Sequence, residues 1–133
     1  MTEKLLGSEQ CRGHVWSPDG KYLACVTASN DHILLYDWAN HSWALAAQGK
    51  VFSPVMWARD SSAFFFQDLL EDSEPVRRFS VKDRSNQRVF DCAALLEGGV
   101  QRCGLESLAP DGSFVFRLTR GDHDVYALDV DLP

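Results

Sequence analysis

The most conspicuous polar triplet in the chain is Asp122-His123-Asp124, an imidazole between two carboxylates. Such a trio can act as a general base or hold a metal ion. Its place argues for a plainer role. It follows Arg120-Gly121 and precedes Val125-Tyr126-Ala127, where a hairpin has to turn, and Asp, Gly and His are ordinary turn residues. Asn30-Asp31-His32 occupies the equivalent place further up the chain, and recurrence points to folding. Ser17, Ser61 and Ser107 lack the G-x-S-x-G setting of a nucleophile elbow. Cys11, Cys25, Cys92 and Cys103 form no C-x-x-C pair, and the four His have no matching spacing, so no structural zinc site is expected. Cys25 lies in the run Leu23-Ala24-Cys25-Val26 and reads as a small buried hydrophobe. An even cysteine count permits disulfides without demanding them. Glu71, Asp72 and Glu74 read as solvated loop charges, with weak calcium binding as the alternative. No phosphate loop or dinucleotide fingerprint is present, and no catalytic residue, cofactor or metal is expected.

What remains is contact chemistry. Trp38 and Trp43 flank the Asn40-His41 turn, a place where Trp is often partly exposed, and they are the candidate contact surface, together with His123. Trp16 and Trp57 each precede a turn and are expected to be covered between neighbouring sheets. Arg77, Arg78 and Arg88 alternate along strands and read as a solvated face.

The elements that carry these residues are strands, arranged as a repeat. Trp16-Ser17-Pro18-Asp19-Gly20-Lys21-Tyr22-Leu23-Ala24 recurs as Trp57-Ala58-Arg59-Asp60-Ser61-Ser62-Ala63-Phe64-Phe65. It returns as Leu108-Ala109-Pro110-Asp111-Gly112-Ser113-Phe114-Val115-Phe116. In each copy an apolar residue ends one strand, Asp with Gly or Ser makes a tight turn, and an apolar run returns as the next strand. A third strand follows in every copy: Ile33–Asp37, Arg77–Val81 and Val125–Asp129. A fourth is read at Ser42–Gln48 and Gln87–Ala94 but not after the third copy. Lys4-Leu5-Leu6-Gly7 is a weak candidate for the missing strand. Cys92–Glu97 reads as a strand running into a loop, and Gly98–Gly104 as the most flexible connection. The units are approximately 14–49, 54–96 and 104–131 within a single domain spanning 1–133.

Four-stranded units of ~40–45 residues are the pattern of propeller blades. The motif Trp16–Ala24 followed by Ile33–Asp37 resembles the TolB-like (PD40, WD40-like) β-propeller repeat, and Asp111–Phe114 with Val125–Asp129 resembles it again. The middle copy departs, with Arg-Asp-Ser-Ser in place of Pro-Asp-Gly-Lys. The closing part looks like the C-terminal end of bacterial propeller regions that follow winged-helix or kinase domains. The resemblance implies an all-β fold of antiparallel four-stranded blades, two complete units plus a three-stranded third, forming a partial β-propeller. It also implies a sensory or interaction role, and it transfers no catalytic residue.

Propellers of that family carry six or more blades in one chain. Three blades alone would leave two apolar faces open to water, at ~25 cal/mol per Å². The expected remedy is self-association, a homodimer closing a ring, or strand exchange at the third unit. Another protein is a further possible partner. The alternative function is a small-ligand or enzyme site in the central cavity of the assembled ring. Composition agrees with a folded domain: 45% hydrophobic and 11% aromatic, rich in residues that suit a pleated surface. A net charge of −6 repels phosphate backbones, so nucleic acid is not an expected partner. No run approaches the ~20 apolar residues of a membrane span, and the N-terminal residues do not read as a signal peptide. The expectation is a cytoplasmic protein, not membrane-bound, with reduced thiols.

Overall fold

Each Asp-centred turn closes its hairpin by the same device. The Asp19, Asp60 and Asp111 Oδ1 atoms accept the backbone N–H two residues on, from Lys21 (3.0 Å), Ser62 (3.0 Å) and Ser113 (2.9 Å). The residue between takes a left-handed conformation: Gly20 at φ 74°, Ser61 at φ 63°, Gly112 at φ 92°. Glycine does this without steric cost, whereas serine at that φ is held by its surroundings.

The computed structural model describes residues 11–71, 74–92, 102–120 and 122–127. They form three antiparallel sheets. The first is β1 (Cys11–Trp16), β2 (Tyr22–Thr27), β3 (His32–Asp37) and β4 (Ser42–Gln48), in that spatial order. The second is β5 (Met56–Trp57), β6 (Ala63–Gln67), β7 (Val76–Ser80) and β8 (Ser85–Phe90), again in chain order. The third holds β9 (Arg102–Leu108), β10 (Phe114–Arg120) and β11 (Asp122–Ala127), with β10 in the middle. No helix occurs among the described residues, so none there is long and apolar enough to cross a membrane.

The second sheet is covered on both faces, which explains why β6 reads Ala-Phe-Phe-Phe-Gln with no polar alternation. Phe64 and Phe66 join Trp57, Phe79 and Val81 against Ala24, Val26, Ile33 and Leu35 of the first sheet. Phe65 and Val76 join Cys92 against Cys103, Leu105, Phe114, Phe116 and Leu118 of the third. Alternate residues of one strand therefore serve two seams. Each fully buried Phe contributes ~2 kcal/mol through the water it sheds.

Four expectations need correction. The fourth strand of the second unit begins at Ser85 and ends at Phe90, because the turn is completed earlier, at Arg84 with φ 54°. Asp122-His123-Asp124 is not the turn itself: the three residues open β11 and pair with Arg120, Thr119 and Leu118. The hairpin is tighter than a chain-wise comparison with Asn30-Asp31-His32 suggests. Trp16 is not covered by a neighbouring sheet but is 49% exposed. The cysteines are not free thiols. Cys11 is bonded to Cys25, on paired strands with Cα atoms 5.6 Å apart, and Cys92 to Cys103 across the second seam at 6.1 Å. Nothing in their spacing announced this, since pairing depends on strand register. The stretches Lys4–Gly7, 93–101 and 128–131 lie outside the described residues.

Candidate functional site

One face of the first sheet carries a chain of aromatic rings. Side chains two apart on a strand share a face, and cross-strand partners share it too. Trp16 pairs with Leu23, and Tyr36 pairs with both Leu23 and Trp43. Trp38 follows two residues after Tyr36. The Tyr36 ring lies 4.9 Å from Trp43 and 5.6 Å from Trp38, centroid to centroid, and Trp38 lies edge-on to Trp16 at 5.7 Å. His41, held at φ 48° in the turn, approaches Trp38 at 6.0 Å, with its Nδ1 3.2 Å from the Tyr36 hydroxyl. Trp38 and Trp43, read from the sequence as a contact surface, thus belong to one cluster joined through Tyr36. His123 lies apart, on β11 opposite Thr119. Sequence reasoning missed Tyr36 and His41, although the period-two spacing of Tyr36 and Trp38 was a usable signal.

The repeat supplies an internal standard for this face. Trp38 N–H bonds Lys21 O as Val81 N–H bonds Ser62 O, so Trp38 and Val81 are equivalent positions. Trp16 and Trp57 are equivalent by strand register, pairing with Leu23 and Phe64. In the second sheet these positions are buried against the first: Trp57 is 9% and Val81 8% exposed. In the first sheet Trp16 is 49% and Trp38 40% exposed, and Leu45, two residues beyond Trp43 on β4, is 55% exposed. Deeper in the sheet, Leu23, Cys25 and Tyr36 are buried like their counterparts. The aromatic turn end is the part whose counterparts are covered in the second sheet.

The other polar candidates resolve into structure. Hydrogen bonds hold all three turn aspartates ionised. The Ser17 hydroxyl and the Lys21 N–H lower Asp19, the Ser62 hydroxyl and N–H lower Asp60, and the Ser113 N–H lowers Asp111. Asp31 is lowered to about 2 by the hydroxyl of Ser29, the ring of His32 and the hydroxyl of Thr27. None is poised to accept a proton near neutrality. Glu71 folds back onto the basic strands, 3.1 Å from Arg77 and 2.7 Å from Arg88. Glu74 accepts the Cys103 N–H at 3.3 Å. Among the described residues no cluster of ligating side chains suits a metal ion.

The two seams differ at the turn end. In the first, the Trp57 indole N–H donates to Val15 O (2.9 Å), and the Ser61 hydroxyl accepts the Asp19 N–H (3.0 Å). In the second, Leu108 and Gly112 stand at those positions. They offer neither group, and a cleft of about 470 Å³ opens between Trp57, Phe65, Asp60 and Leu108, Pro110, Asp111.

This arrangement, turn-linked strands in consecutive sheets stacked face to face, is found in solved structures. The crystal structure of TolB from Acinetobacter baumannii is similar at TM-score 0.59 and 17% identity, over 90% of this chain and 33% of that one. The fold is that of propeller blades. A structure from a study of two prolyl endopeptidases is similar at TM-score 0.63 and 19% identity, over 87% of this chain and 20% of that one. At such identities the likeness is one of fold, and the chain spans a third and a fifth of those proteins. No family model matches the chain, and no curated protein matches it. Each of the three sheets is therefore one blade.

Proposed function

We propose that this chain is a non-enzymatic, propeller-type interaction module that completes its fold by self-association. One observation carries the reading: Trp16 and Trp38 lie exposed at positions whose counterparts Trp57 and Val81 are buried against a preceding blade. An uncovered patch with two indoles and Leu45 has the composition of an interface centre, where aromatic anchors dominate affinity. Sedimentation velocity over a range of concentrations tests it. A species heavier than the 14.9 kDa monomer is expected, and a monomer at every concentration would overturn the reading.

A second reading, a small-ligand site, rests on the cleft of about 470 Å³ between the turns of the second and third blades. That volume lies within the range of ligand pockets. A fragment screen by NMR that finds no shift at Leu108 or Asp111 would remove it. The two disulfides favour an oxidising compartment over the cytoplasm expected from the sequence.

A further inference from the structure

The blade seam already present in this molecule works as a template for the missing contact. There, Trp57 of β5 lies over the preceding blade and donates its indole N–H to Val15 O on β1. Val15 pairs with Ala24, which lies in the same buried cluster as Trp57. Two sets of positions follow from strand register. Trp16 is the first blade's equivalent of Trp57. Ser107 is the third blade's equivalent of Val15, since it immediately precedes Leu108 and pairs with Val115 on β10. Val115 then stands where Ala24 stands, half-buried on the face that a following blade would cover.

We propose that the third blade of one copy seats Trp16 of a second copy, with the Trp16 indole N–H donating to Ser107 O and the ring lying over Val115. This rests on the self-association reading and specifies its geometry: a head-to-tail contact between two different surfaces, not a patch meeting itself. The residues one step further from the turns agree with it. His14 shares the outward face of β1 with Trp16, opposite Cys25. It falls level with the Arg117–Glu106 ion pair (3.1 Å), which is half-exposed on the third blade. An imidazole can donate to Glu106, so polar groups meet polar groups where the aromatic patch ends. Trp38 lies edge-on to Trp16 at 5.7 Å and supports the exposed indole from one side.

The experiment uses the full chain in three forms: unmodified, Trp16→Ala, and Val115→Asp, with Val115→Thr as a milder variant should the Asp form fail to fold by circular dichroism. Each single variant is expected to weaken self-association at least tenfold, the scale of an interface anchor. Mixing Trp16→Ala with Val115→Asp restores one intact seam between unlike chains and is expected to recover a heterodimer. A self-contacting Trp patch would instead leave Val115→Asp associating normally and give no rescue, which overturns the proposal while the self-association reading survives. Normal association of Trp16→Ala would also overturn it. A chain that never associates removes both.

Discussion

The two seams of this molecule hold together by different means at opposite ends. The first is an aromatic wall closed at the turn end, where Trp57 and Ser61 reach across to Val15 and Asp19. The second is open at the turns and locked deeper down by a buried amide. Gln67 is fully buried, and its Nε2 donates to Cys103 O (2.9 Å) and Glu74 O (3.0 Å) while its Oε1 accepts the Leu105 N–H (2.7 Å). That side chain pairs with the free edge of β9 as a short strand would, and the Cys92–Cys103 disulfide lies beside it. A repeat therefore does not impose one glue. Each seam is closed wherever its own substitutions provide a group that can reach.

The contrast can be broken most severely at Gln67. Gln67→Leu keeps the bulk but takes this partner from Cys103 O, Glu74 O and Leu105 N–H, and is expected to cost about 3 kcal/mol by denaturant unfolding. A loss below 1 kcal/mol would show that the amide is incidental and the apolar contacts hold the seam. Leu108→Trp restores the residue type found in the other two units. It is expected to fill the cleft and stabilise by about 1 kcal/mol, with the new indole N–H reaching Met56 O, the counterpart of Val15 O. Destabilisation would mean that the second seam has relaxed around leucine and cannot take the first seam's geometry.

Ser61 offers a finer test. Ser61→Ala loses the bond to the Asp19 N–H yet keeps the left-handed backbone, and is expected to cost about 1–2 kcal/mol. Ser61→Gly loses the same bond but relieves the backbone, and is expected to be close to neutral. Equal losses would deny that φ 63° carries strain. The smallest effect concerns Asp31, which lies in neither seam. Its folded-state pKa of about 2 is below the ordinary 3.8, so its contribution is present above 3.8 and fades as pH falls toward 2. Asp31→Asn is expected to flatten the pH dependence of stability across that window. The measurement is urea unfolding from pH 5 to pH 2.

Much of the fold was legible because the signals are local. Pro-Asp-Gly turns, apolar runs and their repetition need only neighbouring residues, and the Asp19, Asp60 and Asp111 hairpins formed where those signals stood. The candidate site was half legible. Trp38 and Trp43 stood out by type and by their place at a turn, but their union through Tyr36 required the strand register. Trp16 and Trp57 look alike in sequence, and nothing local tells which is covered. Gln67 could be noticed as an amide at the end of an apolar strand, though not assigned a partner 36 residues away on β9.

By itself, then, the sequence determined that these residues form short antiparallel hairpins grouped into like units, because turn chemistry and period-two patterning act within a few residues. Only the tertiary structure decided which cysteines join, which tryptophan is left bare, and which seam is locked by an amide. Those outcomes depend on which face meets which neighbour across distances that no local pattern encodes.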